Sequence, residues 1–270
     1  MIRKAKRLAK KALGWPEIDF SRYMYASPTP PDGLLDVPLG RYFWENEGRV
    51  IDKWLHYFER YERHFAPYRG RPGLRFLEIG VQNGGSQAMW REYFGPEAVI
   101  YGIDIDPRCA ELDGEMGQVR IGSQDDPAFL RKVVEEMGGI DVVLDDGSHR
   151  SDHIRTSFRT LFPLMADGGS YMIEDLHSVY WPQWKGGYRT RRNFMSDIAD
   201  LIDDMHEPYH LKGRLNPSCS EDLAGVHVYD SIAVLEKKAH AAPRRTSRGR
   251  TEIATSGFAQ SAPSDLERTK

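Results

Sequence analysis

The sequence predicts an α/β fold with a mostly parallel sheet closed by a C-terminal antiparallel strand, and three observations predict it. Short apolar runs alternate with amphipathic stretches of helical period between residues 74 and 205, the pattern of successive βα units. These runs end in turns of glycines and carboxylates, where open α/β sheets build ligand sites. Two further runs, 226–229 and 232–235, flank only Asp230-Ser231, an interval too short for anything but an antiparallel return.

Residues 1–13, MIRKAKRLAKKAL, hold six Lys/Arg and place Ile2, Ala5, Ala9 and Ala12 on one helical face. An alanine face binds bilayers weakly, so this reads as a basic arm suited at most to a weak membrane-surface or partner contact. Residues 15–47, rich in Pro, Gly and aromatics, read as an irregular covering segment. Val50, Trp54, Phe58 and Tyr61 keep helical spacing, so a helix over 49–65 leads into the first strand. Strands are expected at 74–79, 99–103, 119–121, 140–144 and 169–173, with helices at 86–93, 127–136, 151–165 and 193–205. Beyond Lys238 the chain is rich in Ser, Thr, Arg, Pro and Ala without period, the composition of a disordered tail. The expected organisation is an arm and covering segment over 1–47, one domain over 48–238 and a tail over 239–270.

Composition excludes several classes. A net charge of −3 gives no global reason to bind nucleic acid. The two cysteines, Cys109 and Cys219, stand far apart with no CxxC or Cys/His spacing. A zinc-ribbon or disulfide scaffold is not expected, and a reducing cytoplasm fits best. No apolar stretch approaches a membrane span, and no apolar segment follows the basic N-terminus to make a signal peptide.

The chemistry concentrates at two strand ends. Asp145-Asp146-Gly147-Ser148-His149 follows the fourth strand and Glu174-Asp175-Leu176-His177 follows the fifth. Either segment alone is an ordinary turn or helix cap. Together, Asp146, Glu174 and Asp175 form an oxygen-rich group suited to Mg²⁺ or Mn²⁺, because clustered carboxylates repel unless a cation or proton neutralises them. His149, one helical turn beyond Asp146, is the candidate general base. Tyr180, Trp181 and Trp184 follow the acids and are candidates to meet a substrate; a packed lid without ligand is the alternative.

The turn after the first strand, Glu78-Ile79-Gly80-Val81-Gln82-Asn83-Gly84-Gly85-Ser86, is not the dinucleotide fingerprint, since Gln82 stands where a second glycine would be. Gly80 and Gly84 let a ligand approach the backbone, while Glu78 suits a cationic or amino-bearing ligand. Asp104, ending the second strand, can bond both hydroxyls of a ribose, or cap a turn before Pro107. Ser123 and Gln124 after the third strand can read an adenine edge, and Asp145 completes the expected cofactor set. An acid, a glycine turn, a second acid and a polar segment at successive strand ends form the signature of S-adenosylmethionine binding.

These motifs resemble the class I S-adenosylmethionine-dependent methyltransferases. The spacing is similar to the metal-dependent catechol O-methyltransferase group: Glu78 lies eight positions before Ser86, Ser123-Gln124-Asp125 matches its adenine segment, and Asp146 and Glu174 lie 28 apart with Asp175 directly after. The wording of DDGSH and EDLH is closer to the macrolide-sugar O-methyltransferases of the mycinamicin and tylosin type. The rhamnosyl O-methyltransferases and the cephalosporin-hydroxylase-like family share much of it. The resemblance covers about residues 48–236. It implies a Rossmann-like methyltransferase sheet, an S-adenosylmethionine cofactor, a divalent metal on Asp146, Glu174 and Asp175, and His149 as base. The implied reaction is methyl transfer to a sugar hydroxyl of a glycosylated natural product or glycolipid, by an enzyme that can be a homo-oligomer. A catechol-type phenol acceptor and a catalytically silent partner-binding domain are the alternatives.

Overall fold

The computed structural model describes residues 23–210, 213, 222–239 and 243–249. The basic arm over 1–13, Cys219 and most of the 239–270 tail lie outside the described residues; Ala239 and residues 243–249 belong to no helix or strand. No helix among the described residues is long and apolar enough to cross a membrane.

Seven strands form one sheet in the order β3-β2-β1-β4-β5-β7-β6. They are β1 Arg75–Ile79, β2 Val99–Asp104, β3 Gln118–Ile121, β4 Ile140–Asp145, β5 Met165–Ile173, β6 Leu223–Val228 and β7 Ala233–Lys237. The first five are parallel, while β7 runs antiparallel to both β5 and β6. Successive side chains on a strand point to opposite faces, and the sheet uses this to feed two cores. Phe76, Val142, Leu144, Met172 and Val234 enter one core, whereas Leu77, Val143, Tyr171, Ile173 and Leu235 enter the other. Helices α4 Pro127–Met137, α5 Ser151–Leu161 and α6 Phe194–Met205 cover the second face through Leu130, Ile154, Phe158 and Leu201. Helices α2 Tyr57–Phe65 and α3 Gly85–Phe94 cover the first, where Tyr61, Phe65, Phe76, Trp90 and Phe94 pack edge to face, stacked or tilted. Asp126 and Asn193 cap α4 and α6 through side-chain bonds to the first free amides.

Two expectations need correction before α3. Helix α1, Pro38–Trp44, lies inside the segment expected to be irregular. Its proline stands at the first helical position, where the missing amide is no loss, and its Leu39 is buried. The helix expected from residue 49 begins only at Tyr57. The preceding segment is held out of helix by its own anchors: Lys53 is drawn into the sheet's acidic end, while Val50 stays 63% exposed.

Candidate active site

Pairing sets the carboxyl ends of β1, β4 and β5 level. Ile79 stands beside Asp145, and Asp145 beside Ile173. The ladder continues one residue further, with Asp146 N donating to Ile79 O at 2.9 Å and Glu174 N to Asp145 O at 2.9 Å. Gly80, Asp146 and Glu174 therefore emerge side by side where the strand order reverses, the usual ligand crevice of such sheets. A side chain at Gly80 is impossible: its Cβ would stand 2.2 Å from Asp146 O.

Asp146 and Glu174 meet a partner that the motifs did not announce. Lys53, from the segment before α2, places Nζ 2.5 Å from Asp146 Oδ2 and 2.9 Å from Glu174 Oε2, with its side chain only 4% exposed. Tyr61 donates to Glu174 Oε1 and Tyr57 to Asp175 Oδ1, each at 2.6 Å. Burial would lower the Lys53 ammonium, but the two carboxylates outweigh it and hold it charged. Burial, reinforced by Asp146, pushes the Glu174 carboxyl up to about 8 despite Lys53. The carboxylates hold Lys53 charged, while burial works against the charge on Glu174. Asp146, Glu174 and Asp175 outnumber Lys53 by two formal charges, the charge of one divalent cation.

Asp146, His149 and Asp175 bring one ligand atom each within 4.8 Å of one another. Glu174, expected in that group, is instead 1% exposed, with its oxygens bonded to Lys53 and Tyr61. His149 does not rise on a helical turn. It and Asp175 adopt left-handed backbone, φ 55° and 53°, sparsely populated for residues other than glycine and concentrated at functional sites. The bend is held by Ser178 Oγ donating to His149 O at 2.8 Å. It turns His149 Nε2 to within 3.6 Å of Asp175 Oδ2, and leaves Nδ1 buried without a hydrogen-bond partner.

On the neighbouring side, Glu78 is fully buried at the end of β1. Its Oε1 accepts from Trp90 Nε1 at 2.9 Å and Ser86 also favours its charged form, while no donor meets hydrogen-bond geometry at Oε2. Burial pushes this carboxyl up to about 7 against the opposing charge of Lys53. Ser86 is buried in the first turn of α3, beyond Gly84, whose φ of 78° only glycine adopts readily. Asp104 braces the glycine turn: Oδ2 accepts from Val81 N and Gln82 N at 3.0 and 2.9 Å, and Oδ1 from Asp106 N. Ser123 Oγ donates to Asp125 Oδ1 at 2.6 Å beside it.

Asp145 and Gln124, both expected in the cofactor set, bond to each other. Asp145 is 2% exposed and accepts from Gln124 Nε2, Ser157 Oγ and Tyr171 Oη. Gln124 Oε1 in turn accepts from Ser148 N at 2.6 Å. Asp145 still belongs to β4 and points into the molecule, so the pair becomes an internal strut that shapes the DDGSH turn. Gly147 leaves it room, since a Cβ there would lie 2.3 Å from Gln124 Oε1.

Beyond Asp175 the aromatics make a row. Trp54 and His177, His177 and Trp181, and Trp181 and Trp184 have ring centroids 5.4, 5.2 and 5.4 Å apart. Tyr180 lies outside that row, 41% exposed. Trp54, absent from the expected substrate residues, reaches the row from the residue after Lys53. A separate cleft of about 560 Å³ lies between α5, α6 and Lys185, lined by Arg155, Arg159 and Arg191. It contains none of the strand-end residues.

No protein-family model matches the chain. Among curated proteins it is 37% identical over 261 residues to the 8-demethyl-8-alpha-L-rhamnosyl tetracenomycin-C 2'-O-methyltransferase of Streptomyces olivaceus, covering 89% of this chain and 68% of that protein. The 8-demethyl-8-(2-methoxy-alpha-L-rhamnosyl)-tetracenomycin-C 3'-O-methyltransferase of the same organism is 43% identical over 201 residues, which cover 69% of this chain and 51% of the relative. Among solved structures, the MycE methyltransferase of the mycinamycin biosynthetic pathway, in complex with Mg, SAH and mycinamycin VI, is similar with a TM-score of 0.65 and 33% identity. That match covers 79% of this chain and 55% of that one. Apart from the 2'-O-methyltransferase, the chain spans about half the length of these relatives.

Proposed function

Given that the chain belongs to the S-adenosylmethionine-dependent sugar O-methyltransferases represented by the rhamnosyl-tetracenomycin enzymes, we propose that it methylates a sugar hydroxyl of a glycosylated small molecule, with Mg²⁺ or Mn²⁺ as cofactor. The single observation that carries this reading is the group of three carboxylates at the sheet's switch point, which Lys53 alone does not neutralise.

Asp146 and Asp175, with Glu174 beside them across Lys53, would hold the cation. An all-oxygen group suits a hard, hydrated ion, and leaves the imidazole of His149 free for proton chemistry. When bound, the cation would lower the acidity barrier of a sugar hydroxyl and the cofactor would supply an electrophilic methyl group. His149 takes the proton at Nε2, the nitrogen turned towards the acids; the neutral ring then carries its hydrogen on Nδ1. Asp175 stabilises the imidazolium so formed. Glu78 Oε2 would accept from the amino group of the cofactor's methionine part. Asp104 and Ser123 would serve the ribose and base. The row Trp54–His177–Trp181–Trp184 offers apolar faces to sugar C–H groups, so the remaining work is to align the oxygen with the methyl carbon.

Both tetracenomycin relatives are named for methylation on a rhamnosyl group, which favours a sugar over a catechol-type acceptor. The test is incubation of the protein with labelled S-adenosylmethionine, Mg²⁺ and a panel of rhamnosylated aglycones and catechols. Label on a sugar hydroxyl, located by mass spectrometry and NMR, supports the proposal; label on catechols alone overturns it.

A further inference from the structure

We propose that His64, His227 and Glu236 form a second metal site, for a first-row transition cation such as Zn²⁺, between the C-terminal end of α2 and the β6–β7 hairpin. Each side chain brings one ligand atom within 4.8 Å of the other two. His227 Nε2 lies 3.0 Å from Glu236 Oε1, and the rings of His64 and His227 are tilted by 60° with centroids 4.9 Å apart. None of the three touches the acid group at the strand ends.

The hairpin register builds this arrangement. Gly225 stands opposite Glu236, and His227 opposite Val234, so His227 and Glu236 are diagonal neighbours on one face of the antiparallel pair. At Gly225 a side chain would intrude, with its Cβ 2.8 Å from Glu236 Oε2. The glycine thus leaves the carboxylate space beside the two imidazoles. His64 arrives from the last turn of α2, where its Nε2 meets Tyr229 Oη at 2.9 Å.

The donor set differs in kind from that of the strand-end acids. Two imidazole nitrogens and one carboxylate oxygen suit Zn²⁺ and its neighbours, whereas Mg²⁺ takes oxygen and water. The histidines are partly buried and Glu236 is exposed, so three protein ligands would leave a fourth position to solvent, as in three-ligand zinc sites. A bound ion would tie the end of α2 to the sheet edge. The opposite end of the same helix carries Tyr57, which holds Asp175.

The test uses the full chain, stripped with a chelator and dialysed against micromolar Zn²⁺. Bound metal is counted by mass spectrometry and thermal unfolding is recorded with and without Zn²⁺. Asp146→Asn, which weakens the strand-end group, should keep one zinc and a Tm rise of at least about 3 °C, the size expected for saturation of one site. His227→Gln and the solvent-facing Glu236→Gln, made in that same background, should each lose that zinc and most of the rise. Co²⁺ in place of Zn²⁺ should give the intense visible bands of a four-coordinate nitrogen site, absent in His227→Gln. Zinc content and Tm response unchanged in both hairpin variants, or no zinc retained by Asp146→Asn, would overturn the proposal.

Discussion

Lys53 Nζ lies 2.9 Å from Glu174 Oε2, a buried ion pair between the segment before α2 and the end of β5. The same ammonium contacts Asp146, so one cation of the chain itself holds two acids that would otherwise repel. Removing it should leave buried charge uncompensated, at a cost of about 3–5 kcal/mol. Lys53→Met is therefore expected to lose stability of that order in urea denaturation without divalent ions, and to recover more stability than the wild type when Mg²⁺ is added. Equal Mg²⁺ responses in the two proteins would remove Lys53 from the charge balance of the site.

Tyr57 and Tyr61, one turn apart on α2, are the hydroxyl donors to Asp175 and Glu174. Partners that orient metal-binding carboxylates typically matter by about 10–100-fold in metal affinity. Tyr57→Phe and Tyr61→Phe should each raise the Mg²⁺ concentration needed for half-maximal methyl transfer by about that factor, with S-adenosylmethionine affinity little changed. A Mg²⁺ titration that superimposes on the wild type would contradict the assignment.

The five parallel strands are legible in the sequence because each carries apolar residues up to a closing glycine or acid, and the acids are legible because they stand at those ends. Lys53, Tyr57 and Tyr61 are not. They reach the site across sequence separations of 93, 118 and 113 residues, and on their own segment they read as an ordinary amphipathic stretch. Nor does DDGSH tell which of its two acids faces the crevice. Asp145 still pairs with Ile79 and Ile173 and is turned inward, whereas Asp146 has left the strand and is free to face the crevice. Helix α1 is hidden by the Pro- and Gly-rich segment before it, although Pro38 at its first position is itself a start signal.

Glu78 supplies a pH prediction. Without cofactor its carboxyl is pushed up to about 7 by burial, so below that pH it is largely protonated. A cationic amino group on Oε2 favours the carboxylate, and binding there releases a proton. Affinity for S-adenosylmethionine should accordingly rise with pH, by up to about tenfold per unit well below 7, and level off above it. Calorimetry across this range, in buffers of different ionisation enthalpy, should detect the released proton. Glu78→Gln should bind more weakly and lose the pH dependence; a wild-type profile in that variant would separate Glu78 from the cofactor.

His149 is held near Asp175 by a left-handed backbone rather than by a helix. His149→Ala should reduce turnover by about 10²–10⁴-fold while S-adenosylmethionine affinity stays near that of the wild type. Near-normal turnover in the folded variant would move the base to His177 or to water.

The central claim is that the strand-end acids hold a divalent ion on which sugar methylation depends. Its most direct measurement is the rate of labelled methyl transfer to a rhamnosylated acceptor, in Mg²⁺ and in EDTA, for the wild type and Asp146→Asn. Transfer by the wild type that is lost in EDTA, restored by excess Mg²⁺ and not restored in Asp146→Asn is the predicted result. Full wild-type turnover in EDTA, or undiminished turnover in Asp146→Asn, would contradict it.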